Sequence, residues 1–187
     1  MRQLTRLPIR LPGTEPAVAA VAGVCLLLAL LLGLAPVLTS LTAHEGTTLV
    51  PSALGAPFAL PSLRAVPLGS TGWAQLLCED FAAAILVTVA ALRTRRHLRR
   101  HPEARRLRRL LAGWTALIAA GAASGAWRGL VAARMVDAGP VGWLLYATTG
   151  AVFGAVWGLG LGWLPGLAAL CVPDGRGRQP TPSPSSD

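Results

Sequence analysis

Four long apolar segments constrain the fold of this chain more than any other feature. They cover residues 17–37, 73–92, 110–133 and 141–164, and a helix needs about 20 such residues to cross the hydrocarbon core of a bilayer. Only 13% of the residues are charged, against roughly 25% in soluble domains. The sequence therefore predicts an all-α membrane protein with four transmembrane helices, TM1 to TM4, in that order.

The first segment has two interpretations, a cleaved signal peptide or a retained span. The arginines before it are compatible with either. Its apolar stretch is longer than the roughly 7–15 residues of a signal peptide, and no small-residue cleavage site follows it. We therefore expect TM1 to remain part of the protein.

The distribution of arginine predicts how the chain is threaded through the membrane. All 17 basic residues are arginine; nine of them lie in 93–109, and Arg64 is the only one in 38–72. Because cytoplasmic loops carry the excess of positive charge, both termini and the arginine-rich loop are predicted to be cytoplasmic. The predicted parts are a basic cytoplasmic N-terminus (1–16), a proline-rich extracytoplasmic loop (38–72), the cytoplasmic arginine loop (93–109), a short outer turn (134–140) and a cytoplasmic tail (165–187) that is disordered from about residue 173.

The arginine loop also suggests a shape and a partner. Pro102 and Glu103 are typical of the first turn of a helix, so TM2 and TM3 are expected to extend into the cytoplasm as a helical hairpin bent at Pro102. No aromatic residues are interleaved for stacking on bases, so we expect anionic lipid headgroups, and not nucleic acid, as the partner. The predicted lipid contacts are Arg93, Arg95, Arg96, Arg99, Arg100, Arg105, Arg106, Arg108 and Arg109.

Glycines recur at every fourth position in the last two spans. They are Gly121, Gly125 and Gly129 in TM3, and Gly150, Gly154, Gly158 and Gly162 in TM4. Such stripes let two helix backbones approach closely inside lipid. Because a short turn joins TM3 to TM4, the expected contact is between these two spans. A contact with a second copy or with another membrane protein is the alternative.

Two adjacent acids lie inside the second span, in the stretch "LLCEDFAAAIL". Glu79 lies about 9 Å along TM2 from its outer end, and Arg128 lies about 9 Å along TM3 from its outer end. Charges inside a membrane normally pair within the protein, so we predict a cluster of Glu79, Asp80, Arg128 and the neighbouring Gln75, with Glu79 as the partner of Arg128. Asp80 then has a second partner, faces a water-filled crevice, or is protonated. The pattern leaves open whether the cluster is structural or functional.

Signatures of catalysis and of cofactor binding are missing from the sequence. It has no zinc-protease helix, nucleophile elbow or phosphate-binding loop, and its three cysteines are not spaced as metal ligands or as a disulfide framework. We predict no cofactor, no metal and no catalytic residue. The abundance of Ala, Gly, Arg and Pro suggests a GC-rich bacterial genome, and hence the bacterial cell membrane.

These observations lead to three hypotheses about function. The favoured one is a non-catalytic accessory, assembly or scaffold component that packs against other membrane helices. The alternative is a small oligomeric transporter or channel for protons or cations that uses the acids of TM2. A membrane-embedded lipid enzyme is the third. Many transporters have internal repeats or broken spans. Here no repeat is visible and the only proline within a span is Pro36, at the end of TM1, which favours the first hypothesis.

Overall fold

The computed structural model describes residues 15–34, 60–67, 72–100 and 106–172. Of these residues 87% are helical and none forms a strand, and four of the helices are long and apolar enough to cross a membrane. The prediction of an all-α protein with four such helices is confirmed for this part of the chain. The helices are α1 (Glu15–Gly33), α2 (Trp73–Arg100), α3 (Arg106–Met135), α4 (Pro140–Leu161) and α5 (Trp163–Cys171).

The helix bounds differ from the apolar segments mainly at the arginine loop. There α2 continues to Arg100 and α3 begins at Arg106, because an arginine-rich sequence has no reason to leave the helix until proline or glycine intervenes. The predicted bend at Pro102, and residues 35–37 of the first segment, lie outside the described residues. We call this end of the molecule the arginine side. The opposite end, where α1 ends and α2 begins, is the loop side.

The third helix is the centre of the bundle. It contacts α2, α4 and α5, and α1 contacts α2 and α5. The core therefore lies between α1, α2, α3 and α5, while α4 packs mainly on α3 and touches the core through Trp157 and Leu161. The buried core residues are Val21, Cys25, Leu60, Leu86, Ala90, Leu117, Ala120 and Ala169.

The interface of α3 with α4 is made of glycine backbone. A methyl group added at Gly121 would collide with the carbonyl oxygen of Gly154, and one added at Gly125 would collide with that of Gly150. The reverse substitutions at Gly154 and Gly150 collide in the same way. At the loop side Gly129 packs against the backbone of Tyr146. The two glycine stripes therefore face each other within one chain, and only glycine fits at their contact points.

A tight turn joins α3 to α4 and fixes their antiparallel arrangement. Asp137 has a left-handed backbone with φ of 49°. The N–H of Ala138 donates to the carbonyl of Ala133 at 2.9 Å, and that of Asp137 donates to Arg134 at 3.3 Å. This pattern of bonds is the Schellman ending of a helix, which usually has glycine at the left-handed position.

The fourth span does not end where the sequence suggested, and residues 165–171 are not part of a tail. They belong to α5, whose Pro165, Gly166 and Ala169 are buried. The helix breaks at Gly162 because Pro165 has no N–H to offer the carbonyl four residues earlier. A side chain at Gly162 would also collide with the ring of Trp114. The predicted disorder from about residue 173 lies outside the described residues.

A non-helical segment, residues 60–67, enters the bundle from the loop side. Leu60 is 3% exposed and belongs to the core cluster. The N–H of Leu63 donates to the carbonyl of Ala29 at 2.9 Å, about 6 Å before the end of α1 at Gly33. Irregular backbone at this depth is tolerated only where protein or water surrounds it. Residues 60–62, part of the loop predicted for 38–72, are thus buried among the helices, whereas residues 65 and 66 are exposed.

Candidate functional site

An ion pair between α2 and α3 is the centre of the candidate site. The Nε atom of Arg128 donates to Oε1 of Glu79 at 2.8 Å. The side chains are 20% and 26% exposed, respectively. Antiparallel packing of the two helices brings residue 79, near the start of α2, beside residue 128, near the end of α3. Both charged groups are largely removed from the surface, and each supplies the countercharge of the other.

The ion pair lies deep enough along both helices that neither charge could be left unpaired without a large energetic cost. Glu79 lies six residues after Trp73, about 9 Å along α2, and Arg128 lies about 10 Å before Met135 along α3. A lone charge in a membrane helix costs about 2.5–3.5 kcal/mol on insertion scales. Pairing at hydrogen-bond distance offsets part of that cost, so the pair holds α2 and α3 in register near the loop side.

Asp80 has a different partner. Its Oδ1 atom accepts a hydrogen bond of 3.1 Å from the backbone N–H of Arg64. Adjacent residues of a helix point about 100° apart, so Glu79 and Asp80 face different neighbours. One acid holds α3, and the other holds the segment 60–67.

Arg64 is the residue that the sequence reasoning missed. Its backbone N–H binds Asp80, and the start of its side chain lies beside Gly33 of α1. Its Nε atom is buried and has no hydrogen-bond partner among the described residues. The one available signal was its position, because Arg64 is the only basic residue of the 38–72 loop.

An aromatic pair covers the site on the next face of the two helices. The indole N–H of Trp127 donates to the backbone carbonyl of Cys78 at 3.1 Å. The ring of Trp127 lies 4.8 Å from that of Phe81, tilted by 59°. This geometry is favourable for aromatic rings, and it adds a second attachment of α3 to α2 beside the ion pair.

The remaining member of the predicted cluster, Gln75, and the nearby Ser124 lie apart from the ion pair. Gln75 is exposed, one turn of α2 closer to the loop side. Ser124, one turn below Arg128, is fully buried, and its hydroxyl donates to the carbonyl of Gly121 at 3.1 Å. The core of the site is therefore Glu79, Asp80 and Arg128 with the backbone of Arg64.

The arginines of the predicted lipid contact do not share one environment. Arg93, Arg96 and Arg100 line one cavity on the arginine side. Arg95, Arg99, Arg106 and Arg108 are exposed elsewhere, and Arg109 is half-buried. Arg105 lies outside the described residues.

Among the described residues, His, Cys, Asp and Glu are the possible metal ligands, and the cysteines are the possible sites of thiol chemistry. Within it no three residues among His, Cys, Asp and Glu are grouped so that they could hold a metal ion. The cysteines are free: Cys25 is buried in the core, Cys78 is half-buried and Cys171 is exposed.

Comparison with known proteins adds no assignment. No protein-family model, curated protein or solved structure matches this chain. Its function is therefore argued from the geometry of the site and of the surfaces.

Proposed function

We propose that this protein is a non-catalytic component of the bacterial cell membrane, an accessory, assembly or scaffold protein that packs against other membrane helices. The observation that carries the proposal is the closure of the internal charge cluster. Glu79 pairs with Arg128 at 2.8 Å, and Asp80 accepts a backbone hydrogen bond at 3.1 Å. Acids bound in this way stabilise the fold and are poorly placed to receive a substrate.

The outer surface of α4 supports an interaction with other helices. This helix attaches to the bundle through its glycine face on α3 and has few contacts with α5. Apart from Trp157 and Leu161, which pack against the core, much of its surface is apolar and open. The exposed apolar residues include Val141, Leu144, Leu145, Val152, Val156 and Leu159. Gly160 lies on this open side, with no atom within 4 Å of an added Cβ. A partner helix can approach α4 there without disturbing the chain's own packing.

The proposal is tested by changing the outer surface of α4 while its inner surface stays intact. Gly160→Leu adds bulk where there is space, so the protein should still fold. We expect it to lose membrane proteins that co-purify with the tagged wild type in mild detergent. Ala155→Leu, at a half-buried position, serves as a control of equal size on the same helix.

The result is judged by native mass and by the identity of the captured proteins. Either of two results contradicts the proposal: a wild-type protein that runs at the mass of one chain, or the same set of captured proteins with the wild type and with Gly160→Leu. The proposed threading is tested separately with a reporter fused after residue 109. Activity of that reporter on the exported side would overturn the cytoplasmic position of the arginine loop.

One observation favours a second candidate, a small proton or cation transporter. The non-helical segment 60–67 lies at membrane depth and contacts Asp80, and transporters use irregular backbone of this kind beside their ion sites. Four helices enclose little volume, so such a transporter would work as a dimer or larger assembly.

Proton flux into liposomes distinguishes the two candidates. The scaffold proposal expects the same flux with the wild type as with protein-free liposomes. A flux that requires the wild-type protein and is abolished by Asp80→Asn would support transport instead. Asp137→Asn, an exposed acid in the turn after α3, is the matched control.

A further inference from the structure

A polar cavity lies between α2 and α3 on the arginine side, more than 10 Å from the ion pair along α2. Its volume is about 320 Å³. It is lined by Arg93, Arg96, His97, Arg100, Ala112 and Thr115. Among the described residues that line it, three of six carry a permanent positive charge and none carries a negative one.

The helical repeat explains which arginines line the cavity. Positions 93, 96, 97 and 100 are separated by three and four residues, which places them on one face of α2 over about 10 Å of its length. Arg95 and Arg99 lie on another face of the same helix and do not line the cavity. The helical fold therefore directs some arginines of this run into the cavity and others away from it.

The opposite wall does not neutralise this charge. Ala112 is buried and apolar. The hydroxyl of Thr115 donates to the carbonyl of Leu111 at 2.8 Å on its own helix. Three guanidinium groups that share a cavity with a neutral wall repel one another, and an anion placed between them removes that repulsion.

We infer that this cavity binds a phosphate group, either that of an anionic lipid headgroup or a free phosphate. Guanidinium groups match the oxygens of phosphate with paired, charge-assisted hydrogen bonds. Arg93 lies twenty residues after Trp73, about 30 Å along α2, and the hydrocarbon core is about 30 Å thick. The cavity is thus at the depth of lipid headgroups, and this inference does not rest on the proposed function.

The experiment titrates the full-length protein in neutral detergent with a short-chain phosphatidic acid and counts bound molecules by native mass spectrometry. Phosphatidylcholine of the same chain length is the neutral headgroup control. The wild type should bind one phosphatidic acid per chain tightly. Replacing Arg93, Arg96 and Arg100 with Gln together should weaken binding about 100-fold, since each headgroup contact is lost.

A second triple variant removes the same charge from outside the cavity. Arg99, Arg106 and Arg108 are exposed and do not line it, so their replacement with Gln should weaken binding by at most about threefold, because salt screens distant charges. Equal weakening in the two triple variants overturns the inference, since it would mean that the basic surface acts diffusely. Absence of saturable binding by both phosphatidic acid and inorganic phosphate overturns it as well.

Two further measurements control for misfolding of the triple variant and distinguish a lipid phosphate from free phosphate. If the cavity triple variant lacks the wild-type helical circular dichroism, Thr115→Leu decides, because it narrows the cavity without a change of charge. Loss of binding in Thr115→Leu supports the site, and unchanged binding overturns it. Competition by inorganic phosphate assigns the site to free phosphate. Tight phosphatidic acid binding without such competition assigns it to lipid.

Discussion

The ion pair of Arg128 and Glu79 yields a prediction whose size follows from the structure. Arg128→Gln leaves the carboxylate of Glu79 inside the bundle without its cation, and Glu79→Gln leaves the guanidinium without its anion. The double variant leaves two neutral amides that can bond to each other. Each single change should therefore be more harmful than its share of the double change.

The distance and the exposure of the pair set the magnitude. Two charges about 4 Å apart attract by about 4 kcal/mol at an effective dielectric constant near 20, and removing one partner of a fully buried pair costs about 3–5 kcal/mol. Here Nε and Oε1 are 2.8 Å apart, and the side chains are 20% and 26% exposed, so solvent reduces both figures. We expect about 2–3 kcal/mol for each single variant, about 3 for the double variant, and a coupling energy of about 2.

The assay is reversible unfolding in mixed micelles of a mild detergent and dodecyl sulfate, followed by far-UV circular dichroism. Arg134→Gln is the control, because Arg134 is an exposed arginine of the same helix, and its change should stay within about 0.5 kcal/mol. Single variants whose costs add to that of the double variant within about 0.5 kcal/mol would refute the coupling. In cells, a double variant whose accumulation falls as far as two independent single losses predict would point the same way.

Three other predictions concern packing. Gly154→Ala should destabilise the protein by about 1–3 kcal/mol, since the added methyl group collides with backbone. Gly160→Ala should be neutral or stabilising, because alanine is the better helix former. Equal melting temperatures of the two variants would contradict this prediction. In a background without the three native cysteines, Ser62→Cys should resist a membrane-impermeant maleimide and Val66→Cys, at a position 64% exposed, should react; equal labelling rates would show that the segment is not inserted. Trp114→Phe should cost about 1 kcal/mol through the loss of its 2.9 Å hydrogen bond to a carbonyl of α4, measured by the same unfolding assay, and an unchanged stability would show that the bond contributes nothing.

The four long helices could be predicted because their cause is local. An uninterrupted apolar run of about 20 residues must satisfy its own backbone in a membrane, and the helix is the way for a single segment to do so. The fifth helix could not be predicted by that rule. It begins where Pro165 and the ring of Trp114 interrupt α4, and Trp114 is 45 residues away from the carbonyl of Leu159 that it binds. Such a contact exists only after α3 and α4 have packed.

In the candidate site, likewise, one contact could be predicted from the sequence and another could not. Counting helical turns places Glu79 and Arg128 at similar depths, and in the structure their charged atoms lie 2.8 Å apart. The partner of Asp80 is a backbone N–H at Arg64, in a proline-rich stretch with no period to count. Backbone donors are present at nearly every residue, so nothing in the sequence distinguishes this one. The position of a residue in a helix can be calculated from the helical repeat. The position of an irregular segment cannot be calculated in this way, because it depends on the surface against which the segment packs.

The adjacency of the two acids is itself explained by these contacts. Because neighbouring helix residues diverge by about 100°, Glu79 can hold α3 while Asp80 holds the segment 60–67, and neither acid could do both. That segment carries Leu60 into the core, where burial of a leucine side chain contributes about 1.5–3 kcal/mol. The core surrounds Leu60 with α1, α2, α3 and α5, and α4 reaches it only through the partly buried Trp157 and Leu161. The helix that a partner can engage at the lowest cost to the fold is therefore α4, since its outer surface supports none of the internal contacts.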